Sequence, residues 1–156
     1  KRLIVGPMRN WSRTVVLWNL AADPLNDPHT DNGGCPSCQG ALTIDGDSAT
    51  RNLAYYVIAH ASQFVRPGSV RIASTAPGDR TVTLGEDEQR PKVYRAQITE
   101  HADVAPNAAF RTPDGKIVLI VANDSWSRRS ISVQYNGRYA ELNLAPGATG
   151  TFVWDE

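Results

Sequence analysis

Five residues in the first quarter of the chain carry side chains that could bind a ligand or do chemistry. Trp18 and Asn19 follow an apolar run, and His29, Cys35 and Cys38 lie in the long polar loop that comes next. A flat indole ring can stack on the apolar face of a ligand, while an amide and an imidazole can hydrogen-bond to polar groups. The sequence therefore predicts a binding site where the apolar run ends, with Trp18, Asn19 and His29 as candidate substrate-binding residues.

Each of these three candidates also has a purely structural interpretation. Trp18 could be an ordinary core residue at the end of a strand. Asn19 could use its amide to tie down the backbone of the loop, and His29 could be a solvated loop residue. For Asn19 and His29 the structural role is the simpler interpretation, and all three alternatives stay open at the level of the sequence.

The two cysteines, Cys35 and Cys38, are separated by two residues in a loop rich in Gly and Pro. A zinc site would need further ligands such as His29 and an Asp. A redox Cys-x-x-Cys pair normally opens a helix, and no helical period follows here. We expect a disulfide in an exported protein, with free thiols, a metal site and redox catalysis as alternatives. No metal and no cofactor are predicted.

The remaining titratable groups favour structural roles. Asp45 and Asp47 flank Gly46, which indicates a turn or a cap and not a catalytic carboxylate pair. Residues 86–88 are Glu-Asp-Glu and are expected to form a solvated turn. His60 falls on the apolar face of a predicted helix and is expected to pack there. The sequence contains no Gly-rich phosphate motif and no spacing that supports a Ser-His-Asp triad.

Charge and hydropathy exclude two classes of partner. The chain has 156 residues and a formal net charge of zero, with no basic stripe, so nucleic acid is not expected. No apolar run approaches the length of a membrane span. Residues 1–10 read as the end of a helix, so we expect a piece of a longer polypeptide, whose remainder would be a partner of this chain.

The apolar run predicts a strand at residues 11–19. Its centre, Thr14 to Leu17, shows no polar alternation, which is typical of a strand buried on both faces of a parallel α/β sheet or barrel. In such folds the ligand site lies at the end of the strand. Residues 21–40 are predicted to be a loop, and a connection longer than about 15 residues is usually functional or disordered. Residues 42–45 predict a short extended segment.

One clear helix is predicted over residues 50–64. Its start could be capped by Ser48 or Thr50, and Pro67 with Gly68 would end it. One face carries an apolar series at helical spacing that we expect to be buried. That series is Leu53, Tyr56, Val57, His60, Ala61 and Phe64.

From Val70 onward the hydrophobic period changes to two, which indicates strands joined by turns. Pro113-Asp114-Gly115 and Asn136-Gly137 are hairpin signals. A two-residue Asn-Gly loop should pair Val133 with Ala140 and Ile131 with Leu142. The predicted strands are residues 70–74, 82–84, 93–98, 108–112, 116–122, 130–135, 138–144 and 149–154. The sequence therefore predicts one βα unit followed by an antiparallel β-sandwich, with the boundary near Pro67.

Several motifs in this order resemble glycoside hydrolase family 30, the glucosylceramidase family. The similarity includes Asn10-Trp11-Ser12-Arg13-Thr14 with Leu17-Trp18-Asn19-Leu20-Ala21, and the loop from Gly33 through Cys35 and Cys38 to Gly40 with Thr43-Ile44-Asp45. It continues through Thr50-Arg51-Asn52, Tyr55-Tyr56 and the run from His60 to Gly68. It closes with residues 109–115, 117–123, Pro146-Gly147 and 151–154. The match covers almost the whole chain.

The resemblance implies a mostly β fold with one main α-helix, in which an antiparallel β-sandwich is preceded by the last βα unit of a (β/α)8 barrel. Residues 1–66 would be the C-terminal remnant of that catalytic barrel, and residues 67–156 the sandwich domain. The family implies a retaining glycosidase with two glutamates on earlier barrel strands. Neither is present in this sequence, so the chain alone is expected to be inert.

The resemblance also implies the substrate. Trp18 matches the family's aromatic beside the sugar, although Leu17 stands where the mammalian glucosylceramidase pattern has an acid. The substrate would be a β-linked glucoside or glucan, and the parent glucosylceramidase-like, a β-glucosidase or an endo-β-1,6-glucanase. The protein would be secreted or periplasmic. The alternative is a stand-alone carbohydrate-binding or structural β-sandwich module without catalysis.

Overall fold

The fold is mostly β, with antiparallel sheets and two short helices among the described residues, as the sequence predicts. The structure, a computed structural model, describes residues 3–30, 32, 34–84, 96–100 and 105–156. The helices are α1 (Val5–Arg9) and α2 (Leu53–Ser62). The strands are β1 (Ala21–Ala22), β2 (Leu42–Asp45), β3 (Ser48–Arg51), β4 (Val70–Ile72), β5 (Arg80–Leu84), β6 (Ala96–Glu100), β7 (Asn107–Arg111), β8 (Lys116–Ala122), β9 (Arg129–Tyr135), β10 (Arg138–Leu144) and β11 (Thr149–Asp155).

Four groups of paired strands make up the sheets. The central one has the order β11-β8-β7-β4 and is antiparallel throughout. The strands β9 and β10 form a two-stranded hairpin, and so do β5 and β6. In the first part of the chain β1 pairs in parallel with β2, and β2 pairs antiparallel with β3.

The central sheet buries both of its faces, and β8 shows how. Side chains alternate between the two faces of a strand, so Val118 and Ile120 lie on one face and Val121 lies on the other. The first face packs with Phe110 of β7 against the helices. The helical cover consists of Val5 and Met8 from α1, Ala61 from α2, and Phe64 and Val65 just after α2.

The second face of the central sheet packs on the β9–β10 hairpin. Val121 forms a buried cluster with Leu144, against which Ile131 and Phe152 also pack. Tyr135 of β9 meets Trp154 of β11 edge to face, with ring centroids 5.7 Å apart. These contacts between two antiparallel layers make the sandwich.

The β9–β10 hairpin has the register that the Asn-Gly turn predicts. Val133 lies opposite Ala140 and Ile131 lies opposite Leu142. Asn136 and Gly137 both have positive φ, 47° and 76°, as a two-residue turn of this kind requires. The turn chemistry therefore fixes which face of the hairpin is apolar.

The hairpin between β7 and β8 is also confirmed. Thr112 and Lys116 close it: the Thr112 backbone N–H donates to the Lys116 carbonyl at 2.9 Å, and the Lys116 N–H donates to Thr112 Oγ1 at 2.9 Å. Gly115 adopts a φ of 80° at the turn. A hydrogen bond from Thr112 lowers the pKa of the Asp114 carboxyl below its ordinary value.

The prediction of a buried strand at residues 11–19 is wrong. The segment has no strand conformation, Val16 is 92% exposed, and Trp11 and Trp18 are also exposed. An apolar run becomes a buried strand only where neighbouring strands satisfy its backbone groups and cover its side chains. Among the described residues no strand pairs with this segment.

The bounds and the buried face of the main helix also differ from the prediction. Residues 48–51, which were expected to hold the cap and the helix start, form β3 because they pair with β2 across the Gly46-Asp47 turn. Asn52 is the N-cap residue, without a side-chain capping bond. Leu53 is 78% exposed, and Tyr56 and Val57 are exposed too. The part of the predicted face that meets the sheet comprises His60, Ala61 and Phe64. Ala61 and Phe64 pack on its apolar cluster, and His60 Nδ1 lies 2.9 Å from Thr151 Oγ1 of β11.

The strands on either side of the acidic run are present with shifted bounds. Those predicted at residues 82–84 and 93–98 appear as β5 and β6, and the one predicted at 70–74 appears as the shorter β4. The Glu-Asp-Glu run at residues 86–88 lies outside the described residues.

An almost fully buried ion pair joins α1 to the sandwich. Arg9 Nη2 lies 2.7 Å from Asp79 Oδ2, and both side chains are close to completely shielded from solvent. Arg9 also donates to the Asn107 carbonyl, and Asp79 Oδ2 accepts the Ala76 N–H. Arg9, which precedes the predicted domain boundary near residue 66, therefore contacts Asp79 and Asn107, which follow it.

Candidate functional site

The long loop after Trp18 is closed at its base by backbone hydrogen bonds. The Ala41 N–H donates to the Asn19 carbonyl at 3.0 Å, and the Leu42 N–H donates to the Leu20 carbonyl at 2.9 Å. These bonds lead directly into the parallel pairing of β1 with β2. Residues on the two sides of the loop are therefore neighbours, and Trp18 lies just outside this closed base.

Gly40 permits the close approach at the base. A Cβ at this position would lie 2.7 Å from Asn19 Oδ1 and 2.8 Å from the backbone of Ala21, distances that Cβ atoms do not adopt. Glycine is needed at this position because two backbone segments come close together, and not because of a positive φ.

Asn52 fixes the base from the side of the helix. Its Nδ2 donates to the Gly40 carbonyl at 2.8 Å and to Thr43 Oγ1 at 2.9 Å, and its backbone N–H donates to the Ala41 carbonyl at 2.9 Å. The amide is engaged with the loop, which explains why it makes no capping bond to α2. Sequence reasoning gave Asn52 no role at the site, and an Asn directly before a helix was the signal that could have found it.

Trp18 presents a large apolar surface beside this base. Its side chain is 69% exposed. The interpretation of Trp18 as a core residue therefore does not fit this structure, and its ring is free to cover a flat ligand face.

Asn19 differs from the expectation that its amide ties down the loop. The loop is tied by the Asn19 backbone carbonyl, whereas the side-chain Oδ1 is buried and accepts no hydrogen bond from the described residues. A buried acceptor without a donor costs free energy. Asn19 Oδ1 is thus a buried acceptor without a donor among the described residues, beside Gly40 at the loop base.

His29 is held within the loop by Asp27. Its Nδ1 lies 2.7 Å from Asp27 Oδ1, and the side chain is mostly buried. Asp23 shapes the preceding turn, because its Oδ1 accepts the N–H groups of Leu25 and Asp27. Across the described residues no hydrogen bond or ion pair joins His29 to Trp18 or Asn19, so only Trp18 and Asn19 are shown together at the loop base.

Cys35 and Cys38 are joined by a disulfide in the structure, with their Cα atoms 5.3 Å apart. The Cys38 N–H also donates to the Cys35 carbonyl at 3.3 Å. A disulfide and a backbone hydrogen bond therefore both close this small turn.

We expect the disulfide to be present in the protein when it is purified under oxidising conditions. Denaturing the unreduced protein and titrating it with a thiol reagent should detect no free thiol, and reduction should release two. Because the ring is small, reduction should lower stability only slightly. Two thiols before reduction would show that the pair is not oxidised.

Two further classes of feature are absent from the described part of the chain. No group of three or more His, Cys, Asp or Glu side chains is arranged to hold a metal ion. None of the helices is long and apolar enough to cross a membrane.

Sequence comparison places the chain among β-glucanase relatives. Residues 93–152 match the model of the glycosyl hydrolase family 30 beta sandwich domain. The chain is 36% identical over 133 residues to an endo-1,6-beta-D-glucanase of Neurospora crassa, which covers 83% of this chain and 24% of that protein. It is 41% identical over 66 residues to the endo-1,6-beta-D-glucanase neg1 of Aspergillus fumigatus, covering 42% of this chain and 14% of the relative.

Solved structures also resemble this chain. The endo-beta1,6-glucanase BT3312 superimposes with a TM-score of 0.70 and 25% identity over 99% of this chain and 30% of the other. SrfJ from Salmonella typhimurium shares the fold, with a TM-score of 0.63 and 23% identity over 89% of this chain and 26% of the other. The chain thus spans a quarter or less of its curated relatives' length, and its residues 93–152 belong to the beta sandwich domain of glycoside hydrolase family 30.

Proposed function

We propose that the chain is the C-terminal portion of a retaining β-glycosidase that acts on β-1,6-linked glucan. It would supply Trp18 and the loop closed by Asn19 and Gly40 to the sugar site, together with the β-sandwich. Three relatives named as endo-1,6-β-glucanases, and a fourth among the solved structures, favour the polymeric glucan over a glucosylceramide or a small glucoside.

The observation that carries this proposal is the position of the exposed apolar side chains. Most of the large ones lie before residue 58, ahead of the sandwich, and comprise Leu3, Trp11, Val16, Trp18, Leu20, Leu25, Ile44, Leu53, Tyr56 and Val57. Exposed apolar surface on this scale marks an interface. The remaining units of a (β/α)8 barrel would cover Val16 on both sides and turn residues 11–19 into a strand.

The chemistry would proceed by two carboxylates on other barrel strands. One attacks the anomeric carbon while the other protonates the departing oxygen, and water then releases the sugar from the enzyme. In this scheme the Trp18 ring covers the CH face of the sugar and excludes water from the reacting carbon. Asn19 Oδ1 accepts a hydroxyl, and His29, held by Asp27, contacts the substrate from the loop. The disulfide suits a secreted or periplasmic enzyme.

The test is hydrolysis of β-1,6-glucan by a polypeptide that joins this chain to the preceding barrel. We expect reducing ends to be released with retention at the anomeric carbon, and no turnover when either strand-end glutamate is replaced by Gln. The 156-residue chain alone should release none from an aryl β-glucoside. Activity of the chain alone that disappears when one of its own carboxylates is replaced would refute the proposal.

A further inference from the structure

The outward face of the β9–β10 hairpin is polar but carries little charge. Alternation turns the apolar side chains of Ile131, Val133 and Leu142 toward the central sheet, and the opposite face is exposed. That face consists of Ser130, Ser132, Gln134, Tyr139, Glu141 and Asn143. Hydroxyls and amides dominate it, and its one carboxylate, Glu141, accepts a hydrogen bond from Ser130.

A second exposed aromatic lies at the end of the hairpin where the chain enters β9. Trp126 is fully exposed, three residues before Arg129, the first paired residue of β9. Hydrogen bonds of the Asn123 and Ser125 side chains fix the loop that carries Trp126. Asn123 Nδ2 donates to the Ser127 carbonyl at 2.8 Å, and Ser125 Oγ donates to Asn123 Oδ1 at 2.7 Å.

Trp126 presents its whole ring to solvent on a loop whose backbone is ordered by hydrogen bonds. An indole ring gains free energy when its apolar surface leaves water. Here no other described side chain covers the ring, yet its backbone is held on both sides by hydrogen bonds. Because the backbone that carries the ring is already ordered, binding at Trp126 does not have to order the loop, which is one source of preorganisation.

We propose that the outward face of this hairpin, together with Trp126, binds a glucan chain at a site separate from the Trp18 loop. The identity of the polymer rests on the proposed function. A glucan is a neutral polyol whose sugar rings have apolar CH faces, so it needs aromatic rings to stack on and hydroxyls or amides to hydrogen-bond with. The outward face of the two strands offers both and carries no basic side chain, although Arg128 near Trp126 and Arg138 at the turn are exposed. That face also lacks the aliphatic side chains typical of a protein interface.

The length of the hairpin suits a polymer. Leu144 pairs with Arg129 at the Trp126 end of the hairpin, and Tyr139 lies five residues further along β10. At a rise of about 3.4 Å per residue the paired length of β10 from Tyr139 to Leu144 is roughly 17 Å, which spans several sugar units. A chain lying along the hairpin would meet Tyr139, Gln134 and Asn143 on the way.

The experiment measures depletion of the 156-residue chain from solution by insoluble β-1,6-glucan, with insoluble β-1,4-glucan as the comparison polymer. We expect saturable binding to the β-1,6-glucan. Trp126→Ala and Tyr139→Ala should each weaken it roughly tenfold, and Trp126→Tyr should retain most of the affinity. Tyr56→Ala removes an exposed aromatic on α2, outside this surface, and should bind as the unchanged protein does.

Several results would overturn this assignment. One is the absence of binding to the β-1,6-glucan. Another is unchanged binding by both alanine variants, and a third is the loss of all binding in Trp18→Ala. A dimer that Trp126→Ala dissociates, without glucan binding, would assign the surface to a second copy. If Trp126→Ala lowers the melting temperature and the other two variants do not, its binding result is set aside. The proposal is then judged on the glucan binding of Tyr139→Ala and Trp126→Tyr. The readout does not depend on turnover, so failed hydrolysis by the longer polypeptide would refute the proposed function and leave this result standing.

Discussion

Replacing Asn123 by Ala is expected to lower the free energy of unfolding by about 3 kcal/mol. Asn123 is 1% exposed, and its Nδ2 lies within 3.1 Å of three carbonyl oxygens, those of Ser127, Leu144 and Ala145. Its Oδ1 accepts from the backbone and the hydroxyl of Ser125. Alanine would leave these groups without their partner in a place that water reaches poorly, and each unpaired group adds to the loss.

Thermal and denaturant unfolding measure this effect. For a chain of this size we expect the melting temperature to fall by roughly 6–12 °C. Asn143→Ala is the matched control, because Asn143 is exposed on β10 and its loss should change stability by no more than about 0.5 kcal/mol. Asn123→Asp keeps an acceptor for Ser125 and removes the donor, so it should also be destabilising. Equal stabilities of the Asn123 and Asn143 alanine variants would refute this account of the loop.

Replacing Trp18 by Ala in the longer polypeptide that carries the barrel is expected to lower kcat/KM by roughly 5- to 150-fold, that is by about 1–3 kcal/mol of transition-state stabilisation. The ring would pack on the sugar while positive charge develops at the anomeric carbon, so its contact with the sugar should matter most in the transition state. In the longer polypeptide the barrel would lie against this segment, so a loss of packing is a separate effect of the same substitution. Kinetics on β-1,6-glucan, with a melting curve for each variant, measure both.

The conservative variant sharpens the test. Trp18→Phe keeps a flat ring and should recover part of the activity, with the melting temperature unchanged. A buried Trp replaced by Ala would instead lower stability by about 3–5 kcal/mol. Normal kcat/KM with a sharply lowered melting temperature would therefore show that Trp18 only packs against the barrel.

The hairpins were predictable because their determinants are local. Asn136-Gly137 sets a two-residue turn, the turn sets the register, and the register places Ile131 and Val133 on the buried face. The same holds for the turn at Gly115. Each of these strands carries its own alternation of polar and apolar residues, so little information from distant parts of the chain is needed.

Residues 11–19 and the start of α2 were mispredicted because their conformation depends on partners. An apolar run does not specify a strand unless another strand supplies hydrogen bonds, and here none among the described residues does. Residues 48–51 have a sequence compatible with a helix start, yet pairing with β2 satisfies their backbone groups and displaces the helix to Leu53. In both places tertiary contacts override local preference.

The sequence predicted Trp18 and Asn19 as neighbours at the loop base, since they are adjacent in the chain. It did not predict the bonds of Asn52 or Asn123, because each reaches carbonyls that are distant in sequence, and an Asn in a turn-rich stretch gives no sign of which distant backbone it will meet. The role of Gly40 could not be predicted either, because the chain segment that Gly40 approaches becomes its neighbour only in the folded protein.

The double burial of the central sheet limits how this sandwich can be inherited. A gene fusion that begins at residue 67 would transfer Phe110, Val118 and Ile120 without the helices that cover them, leaving an apolar face that favours aggregation. A recombination event that keeps the sandwich soluble must therefore break the gene ahead of Val5 and include α1, the loop after Trp18 and α2. Because the helices and the central sheet share one buried cluster, the loop after Trp18 and the sandwich are expected to be inherited as one unit.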